Sequence, residues 1–249
     1  MPQQAEELFR ARDAVCVPGE EIYLEEHDSL WCAPAPDGTL AWWKEYRNPP
    51  VRAQVQRLVR SRAHREWIAL RAMARAGLPV PKPLACLEWR RRGALERSML
   101  ITADVPGTRD LAALAADPET PAELLHTAAR AVGQLARRVH EAGFVHFRFL
   151  ARNLLVELAH PEKVWILDTP YATAWPRNPP YAHRRFDLQT LACARGSLPT
   201  ALAEEAIRSY DPGLDPSRWV HAPRRRLKIQ RILYFTLSSW TGNLPRDDA

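Results

Sequence analysis

Between residues 21 and 46 apolar residues come in short runs bounded by turn formers: Ile22-Tyr23-Leu24, then Leu30-Trp31-Cys32, then Leu40-Ala41-Trp42-Trp43 after an Asp37-Gly38 turn. This pattern predicts a small antiparallel sheet. From Arg52 to Ala76 the apolar positions shift to helical spacing through Val55, Leu58, Trp67, Leu70 and Met73, and Gly77 followed by Pro79 supplies a stop. Residues 84–103 return to strand character around an Arg90-Arg91-Arg92-Gly93 turn, ending in Ser98-Met99-Leu100-Ile101-Thr102. Asp104-Val105-Pro106-Gly107 reads as a hinge. Beyond it, Thr120-Pro121-Ala122-Glu123 predicts a capping box with Pro at the first helical position, and Leu125, Ala128, Val132, Leu135 and Val139 form one apolar stripe. From Arg184 onward the pattern is helical again, in segments near 186–196, 200–210 and 224–240. The expected architecture is therefore α+β, with a sheet-plus-one-helix lobe over residues 1–104 and a mostly helical lobe over residues 105–249.

Composition narrows the class. At 249 residues and 46% hydrophobic the chain is able to bury a real core. Cys16, Cys32, Cys86 and Cys193 show no paired spacing and read as buried thiols of a reducing compartment. Met1-Pro2-Gln3-Gln4-Ala5-Glu6-Glu7 has neither a basic nor an apolar leader region, and no run reaches transmembrane length, so a cytoplasmic chain is expected. The net charge of +6 is unevenly spread: residues 1–40 carry two Arg against nine acids, and residues 41–97 carry fourteen Lys and Arg against four. That basic segment suits either an anionic partner or an ordinary solvated helix face. No helix-turn-helix, RNP or zinc-finger spacing is present, so nucleic acid is not the expected partner. Arg224-Arg225-Arg226 with Leu227, Ile229, Ile232, Leu233 and Phe235 is open to two readings, a C-terminal packing helix or a peripheral membrane contact.

The stretch Phe144-Val145-His146-Phe147-Arg148-Phe149-Leu150-Ala151-Arg152-Asn153-Leu154-Leu155-Val156, followed by Val164-Trp165-Ile166-Leu167-Asp168, resembles the catalytic core of kinase-fold phosphotransferases. In their H-R-D-L-x-x-x-N pattern an aliphatic hairpin follows and delivers a metal-binding Asp. His146 and Asn153 keep the spacing, and Asp168 closes the hairpin. The position of the Asp that orients the acceptor hydroxyl holds Arg148. No other Asp lies between Asp117 and Asp168, and Glu157 falls on the following strand, so no shifted alignment restores the acid. The element order is that of a bilobal protein-kinase-like fold, a small antiparallel-sheet N-lobe followed by a mostly helical C-lobe.

Phosphoryl transfer rests on positioning and charge neutralisation. Lys44 at a strand end and Glu66 in the next helix suit a phosphate-binding lysine and its partner, and Asp104 at the hinge is a further cofactor-binding candidate. Asn153 and Asp168 are candidates to hold metal ions. His146 reads as a loop anchor. Asp187 is either a buried acid bracing the catalytic loop or a simple helix N-terminal acid. Each residue alone is commonplace, and their order along the chain is what gives them weight.

Lys44-Glu45-Tyr46-Arg47, then Ser61-Arg62-Ala63-His64-Arg65-Glu66-Trp67 with Leu70, then Gly77-Leu78-Pro79-Val80-Pro81, is similar to the lipopolysaccharide core kinase family, which includes Kdo kinases, heptose kinases and InaA-type proteins of Gram-negative bacteria. The resemblance spans about residues 20–195. It implies ATP and Mg²⁺ as cosubstrates and an inner-core sugar hydroxyl, on an anionic glycolipid, as acceptor at the inner face of the inner membrane. Three departures bear on activity: Arg148 in place of the acid, Asp168-Thr169-Pro170 in place of D-F-G, and Glu25-Glu26-His27-Asp28-Ser29 where a phosphate-cradling turn wants glycine. The readings left open are a pseudokinase partnering an active kinase, an active Kdo or heptose kinase with a non-standard base, and a small-molecule phosphotransferase like those acting on aminoglycosides.

Overall fold

The computed structural model describes residues 23–25, 28–35, 38–48, 60–193 and 198–220. The chain divides into two compact units, the first comprising the chain up to Arg71 with Pro81–Val105, the second comprising Ala72–Val80 and the chain from Pro106.

In the first unit β1 (Tyr23–Glu25), β2 (Asp28–Pro34), β3 (Leu40–Arg47), β4 (Pro83–Arg91) and β5 (Ala94–Ala103) form an antiparallel sheet in the order β1-β2-β3-β5-β4. Period-two alternation along β3 sends Ala41 and Trp43 into a core with Ala33, Ala85, Met99 and Ile101. Trp31 stacks on Trp43 with ring centroids 6.4 Å apart. The same alternation puts Lys44 and Tyr46 together on the opposite face. The β4–β5 hairpin closes through Arg92 and Gly93, whose φ values of 50° and 83° are those a two-residue turn needs to match strand twist.

Helix α1 (Arg62–Arg75) starts later than the apolar spacing predicts. Positions 52–59 lie outside the described residues, and Arg60 and Ser61 are not helical. The Ser61 hydroxyl accepts the His64 amide at 2.9 Å and so caps the helix instead of continuing it. Gly77 at φ 71° ends it, with the Leu78 amide donating to the Met73 carbonyl at 3.0 Å.

The second unit holds β6 (Thr108–Asp110), α2 (Leu111–Ala116), α3 (Ala122–Glu141), β7 (Phe144–Val145), a 3₁₀ turn (Ala151–Asn153), β8 (Leu154–Glu157), β9 (His160–Ile166), β10 (Thr173–Ala174), α4 (Tyr181–Cys193) and α5 (Thr200–Tyr210). β6, β8 and β9 form one antiparallel sheet, and β7 pairs with β10. The Pro79 carbonyl accepts the Ile166 amide at 2.9 Å, which ties the segment after α1 to β9. Ala128, Val132, Leu135 and Val139 are buried on α3, as the stripe predicts, while Leu125 is half-buried. The predicted capping box does not form. The Thr120 amide is engaged with the Asp117 carbonyl at 3.1 Å in the preceding turn, and Pro121 takes the cap position with no side-chain hydrogen bond. Helix α4 begins at Tyr181, ahead of the expected start, because the Pro180 carbonyl already accepts the Arg184 amide at 3.2 Å. The segment predicted at 224–240 lies outside the described residues. No helix among the described residues is long and apolar enough to cross a membrane. Cys32, Cys86 and Cys193 are free thiols, and burial pushes the Cys86 thiol up to about 12, helped by the nearby Glu88 and Glu66 carboxylates.

Helices α3 and α5 approach closely at Gly133, where a Cβ would lie 2.0 Å from the Ala206 carbonyl oxygen and 2.9 Å from Ser209 Cβ. Around this crossing Ser209 Oγ donates to the Arg130 carbonyl at 2.9 Å, and Glu205 accepts from Arg130 at 2.7 Å and bonds His126. The obstacle is backbone, so it yields only if the helices part. Gly133→Ala is expected to lower the unfolding free energy by about 1–3 kcal/mol, read in thermal melts as a Tm several degrees below wild type.

Candidate active site

In the first unit α1 brings Glu66 to Lys44 and Tyr46. Lys44 Nζ lies 3.4 and 3.3 Å from the two carboxylate oxygens of Glu66, and the Tyr46 hydroxyl donates to Glu66 Oε2 at 2.7 Å. Glu66 is 4% exposed, whereas the Lys44 side chain retains 24%, so the carboxylate is the buried anchor and the ammonium its outward end. The Arg62 guanidinium sits over the Tyr46 ring, 4.5 Å from its centroid, and closes the flank. Asp104 stands apart from this pair: its carboxylate accepts the Trp42 indole N–H at 2.7 Å, and its amide donates to the Leu40 carbonyl at 2.9 Å. Its observed partners thus hold the end of β5 against β3.

In the second unit the chain leaves α3 through Gly143 and β7 and enters the loop that begins at His146. Asp187, fully buried on α4, accepts the amides of His146 at 2.8 Å and Phe147 at 2.7 Å, one on each carboxylate oxygen. It is the seventh residue of α4, well inside the helix rather than in its first turn. His140 Nε2 lies 3.2 Å from the same carboxylate, and His140 Nδ1 lies 3.0 Å from the Tyr210 hydroxyl. This anchoring holds Phe147 at φ 60°, a conformation that costs a side-chain-bearing residue about 1–2 kcal/mol. Phe147 is buried against Phe186 and Val145.

His146 is fully buried between two backbone groups. Its Nδ1 accepts the Arg148 amide at 3.2 Å and its Nε2 faces the Leu167 carbonyl at 2.9 Å, which requires the proton on Nε2. Burial holds the imidazole below its ordinary range, against the opposing pull of Asp187 and Asp168. The ring thereby ties the start of the loop to the residue preceding Asp168.

Asp168 itself takes φ 56°, and Arg148 Nη1 reaches its Oδ2 at 2.9 Å. The two side chains are 12% and 15% exposed. The Arg148 guanidinium lies 5.3 Å from the Tyr171 ring centroid, and the Arg148 carbonyl accepts Asn153 Nδ2 at 2.9 Å. Asn153 turns that same nitrogen toward Asp168 Oδ2, at 3.4 Å. After Asp168, the Ala172 amide donates to the Thr169 carbonyl at 3.0 Å in a turn that buries Thr169 completely.

The structure therefore brings Lys44 to Glu66 in one unit, and Arg148, His146, Asn153, Asp168 and Asp187 into one network in the other. A nucleotide phosphate fits the outward Lys44 ammonium. A divalent ion does not fit the Asp168 set as arranged: the carboxylate is already neutralised by a guanidinium, and Asn153 offers it a donor instead of an oxygen. At an effective dielectric near 20, a divalent ion about 4 Å from the guanidinium meets a repulsion on the order of 8 kcal/mol. Among the described residues no group of three or more His, Cys, Asp or Glu gathers as a metal cluster.

Sequence reasoning missed Tyr46, Tyr171, His140 and Tyr210. Tyr46 was within reach, since strand alternation puts it beside Lys44. The other three approach the site through tertiary packing, with no spacing signal.

A histidine depressed by burial binds fewer protons folded than unfolded. Its contribution to stability is therefore present above about pH 6.5 and drains away as pH falls below that value. Burial shifts His183 the same way. The wild-type unfolding free energy is expected to fall between pH 7.5 and 5.5, by at most about 1.4 kcal/mol per pH unit for each histidine, read as a falling Tm. His146→Gln is expected to show a smaller fall in paired melts.

A family model described as the lipopolysaccharide kinase (Kdo/WaaP) family matches residues 43–210. The 3-deoxy-D-manno-octulosonic acid kinase of Actinobacillus succinogenes is 35% identical over 112 residues, 45% of each chain. The enzyme of the same name from Vibrio cholerae is 30% identical over 109 residues, 44% of this chain and 43% of that one. The chain thus spans less than half the length of the curated relatives it matches. A solved structure, WaaP in complex with acyl carrier protein, aligns with a TM-score of 0.56 at 20% identity, covering 94% of this chain and 91% of that one. That likeness shows the fold, which is bilobal and kinase-like. With the family model matching well over half of its length, the chain belongs to the lipopolysaccharide kinase (Kdo/WaaP) family.

Proposed function

We propose that this chain is a non-transferring member of its family, a pseudokinase that acts in lipopolysaccharide core assembly by binding rather than by phosphorylation. The observation that carries the reading is the Arg148 guanidinium paired with Asp168 at 2.9 Å in the place of the loop acid. Transfer to a sugar hydroxyl needs a group that takes up the hydroxyl proton as the phosphoryl group arrives. A guanidinium has five N–H donors and no acceptor. His146 has both ring nitrogens engaged by backbone and lies out of solvent. The other ionisable side chain between His146 and Asn153 is Arg152, again without an acceptor. Within the loop the proton has no destination.

The binding half of the reading rests on the first unit. Lys44 held by Glu66 supports ATP as ligand, with Lys44 meeting the phosphates. The basic excess of residues 41–97 supports an anionic glycolipid of the lipopolysaccharide core as partner, or an active kinase presenting one, at the inner face of the inner membrane. ATP supplies a transferable phosphoryl group when bound, and Mg²⁺ is its usual companion in this chemistry. Retention of the Lys44–Glu66 pair also favours a second reading, an active Kdo or heptose kinase whose base comes from outside the loop.

The test is transfer of the ATP γ-phosphate to dephosphorylated lipopolysaccharide core by wild type and by Arg148→Asp. Wild type is expected at background, with Arg148→Asp raising transfer by about 10²-fold or more. Wild-type turnover reduced by Arg148→Asp would instead establish the second reading.

A further inference from the structure

We infer that Arg148 is a tethered cation that takes over the electrostatic duty of a divalent ion at Asp168, so that this chain binds nucleotide polyphosphate without metal. The inference rests on the proposed non-transferring reading and deepens it by assigning the ligand chemistry of that site.

Four observations carry it. First, the guanidinium lies 2.9 Å from Asp168 Oδ2, so the carboxylate expected to hold a metal is already paired. The pair sums to zero charge and offers a dication no net attraction. Second, Arg148 is held from several sides. Its amide donates to His146 Nδ1 at 3.2 Å, its carbonyl accepts from Asn153 at 2.9 Å, and its guanidinium lies against Tyr171 at 5.3 Å. A cation fixed in this way loses little freedom when it meets an anion.

Third, the guanidinium has donor capacity to spare. Its Nε–H is buried and has no hydrogen-bond partner among the described residues, so the ion pair with Asp168 leaves part of the guanidinium's donor set unused. Fourth, the side chain is 15% exposed, enough for a phosphate oxygen to reach the fork while Asp168 keeps its own bond. Planar N–H pairs match phosphate oxygens in geometry as well as charge. An ion pair with only a structural role would fix Asp168 equally well but would leave phosphate affinity indifferent to Arg148.

Calorimetric titration of ATP into the purified full chain, in EDTA and then in excess Mg²⁺, tests this directly. The expected result is binding in EDTA within about threefold of that in Mg²⁺, a difference well under 1.4 kcal/mol. Arg148→Ala is expected to weaken binding in EDTA by about tenfold or more, with Arg148→Lys retaining part of the affinity. Arg148→Asp is expected to make ATP binding depend on metal and to gain Mn²⁺ binding seen by electron paramagnetic resonance. Wild-type binding that requires Mg²⁺, absence of ATP binding in either buffer, or affinity unchanged by Arg148→Ala would each overturn the inference. Mg²⁺-dependent binding without phosphate transfer would overturn this inference alone, whereas Mg²⁺-dependent binding with transfer would overturn the non-transferring reading as well. The wild-type comparison needs no variant, so a folding defect in one does not blunt the test.

Discussion

The candidate site of the second unit depends on one buried carboxylate. Asp187 sits at zero exposure inside α4 and gives an oxygen each to the amides of His146 and Phe147. Asp187 satisfies both buried amides, and a buried charge left without its hydrogen bonds costs several kcal/mol. Each side therefore needs the other. The bargain extends outward through His140 to Tyr210, so that α3, α4 and α5 all converge on the turn that starts the loop. The left-handed Phe147 is the strain that this convergence sustains.

From that anchor the rest of the loop follows by short links. His146, neutral and singly protonated, joins the loop start to Leu167, which places Asp168 beside it. Asn153 joins the loop end to both Arg148 and Asp168. A framework of this kind positions whatever side chain stands at the third position of the loop. Here that side chain is a cation. The framework holds that guanidinium in salt-bridge geometry with Asp168, so the two side chains together carry no net charge.

In the first unit the expected Lys44–Glu66 contact forms, on a differently cut helix. Lys44 and Glu66 meet, with Tyr46 as a third member that fixes the carboxylate from below. A lone Lys–Glu contact at a surface is worth little, but a carboxylate buried to 4% needs both donors. Lys44 and Tyr46 lie on one strand face for the simple reason that residues two apart always do.

Much of this molecule was legible in its sequence. The strand runs, the Arg92-Gly93 turn, the α3 stripe and the α5 segment are local patterns, decided by side-chain period and turn chemistry within a few residues. The family strings and the His146–Asn153–Asp168 spacing are likewise written in one dimension. Where local reading failed, a neighbouring group had intervened: Ser61 capped a helix that periodicity carried onward, and the Asp117 turn took the Thr120 amide away from its capping box. The sequence led one to expect an acid at the position of Arg148; it could not say where the guanidinium would go. Its pairing with Asp168, the depth of Asp187, and the arrival of His140, Tyr210 and Tyr171 are settled only when residues twenty to seventy positions apart are packed into a low-dielectric interior, where every buried charge must find its partner.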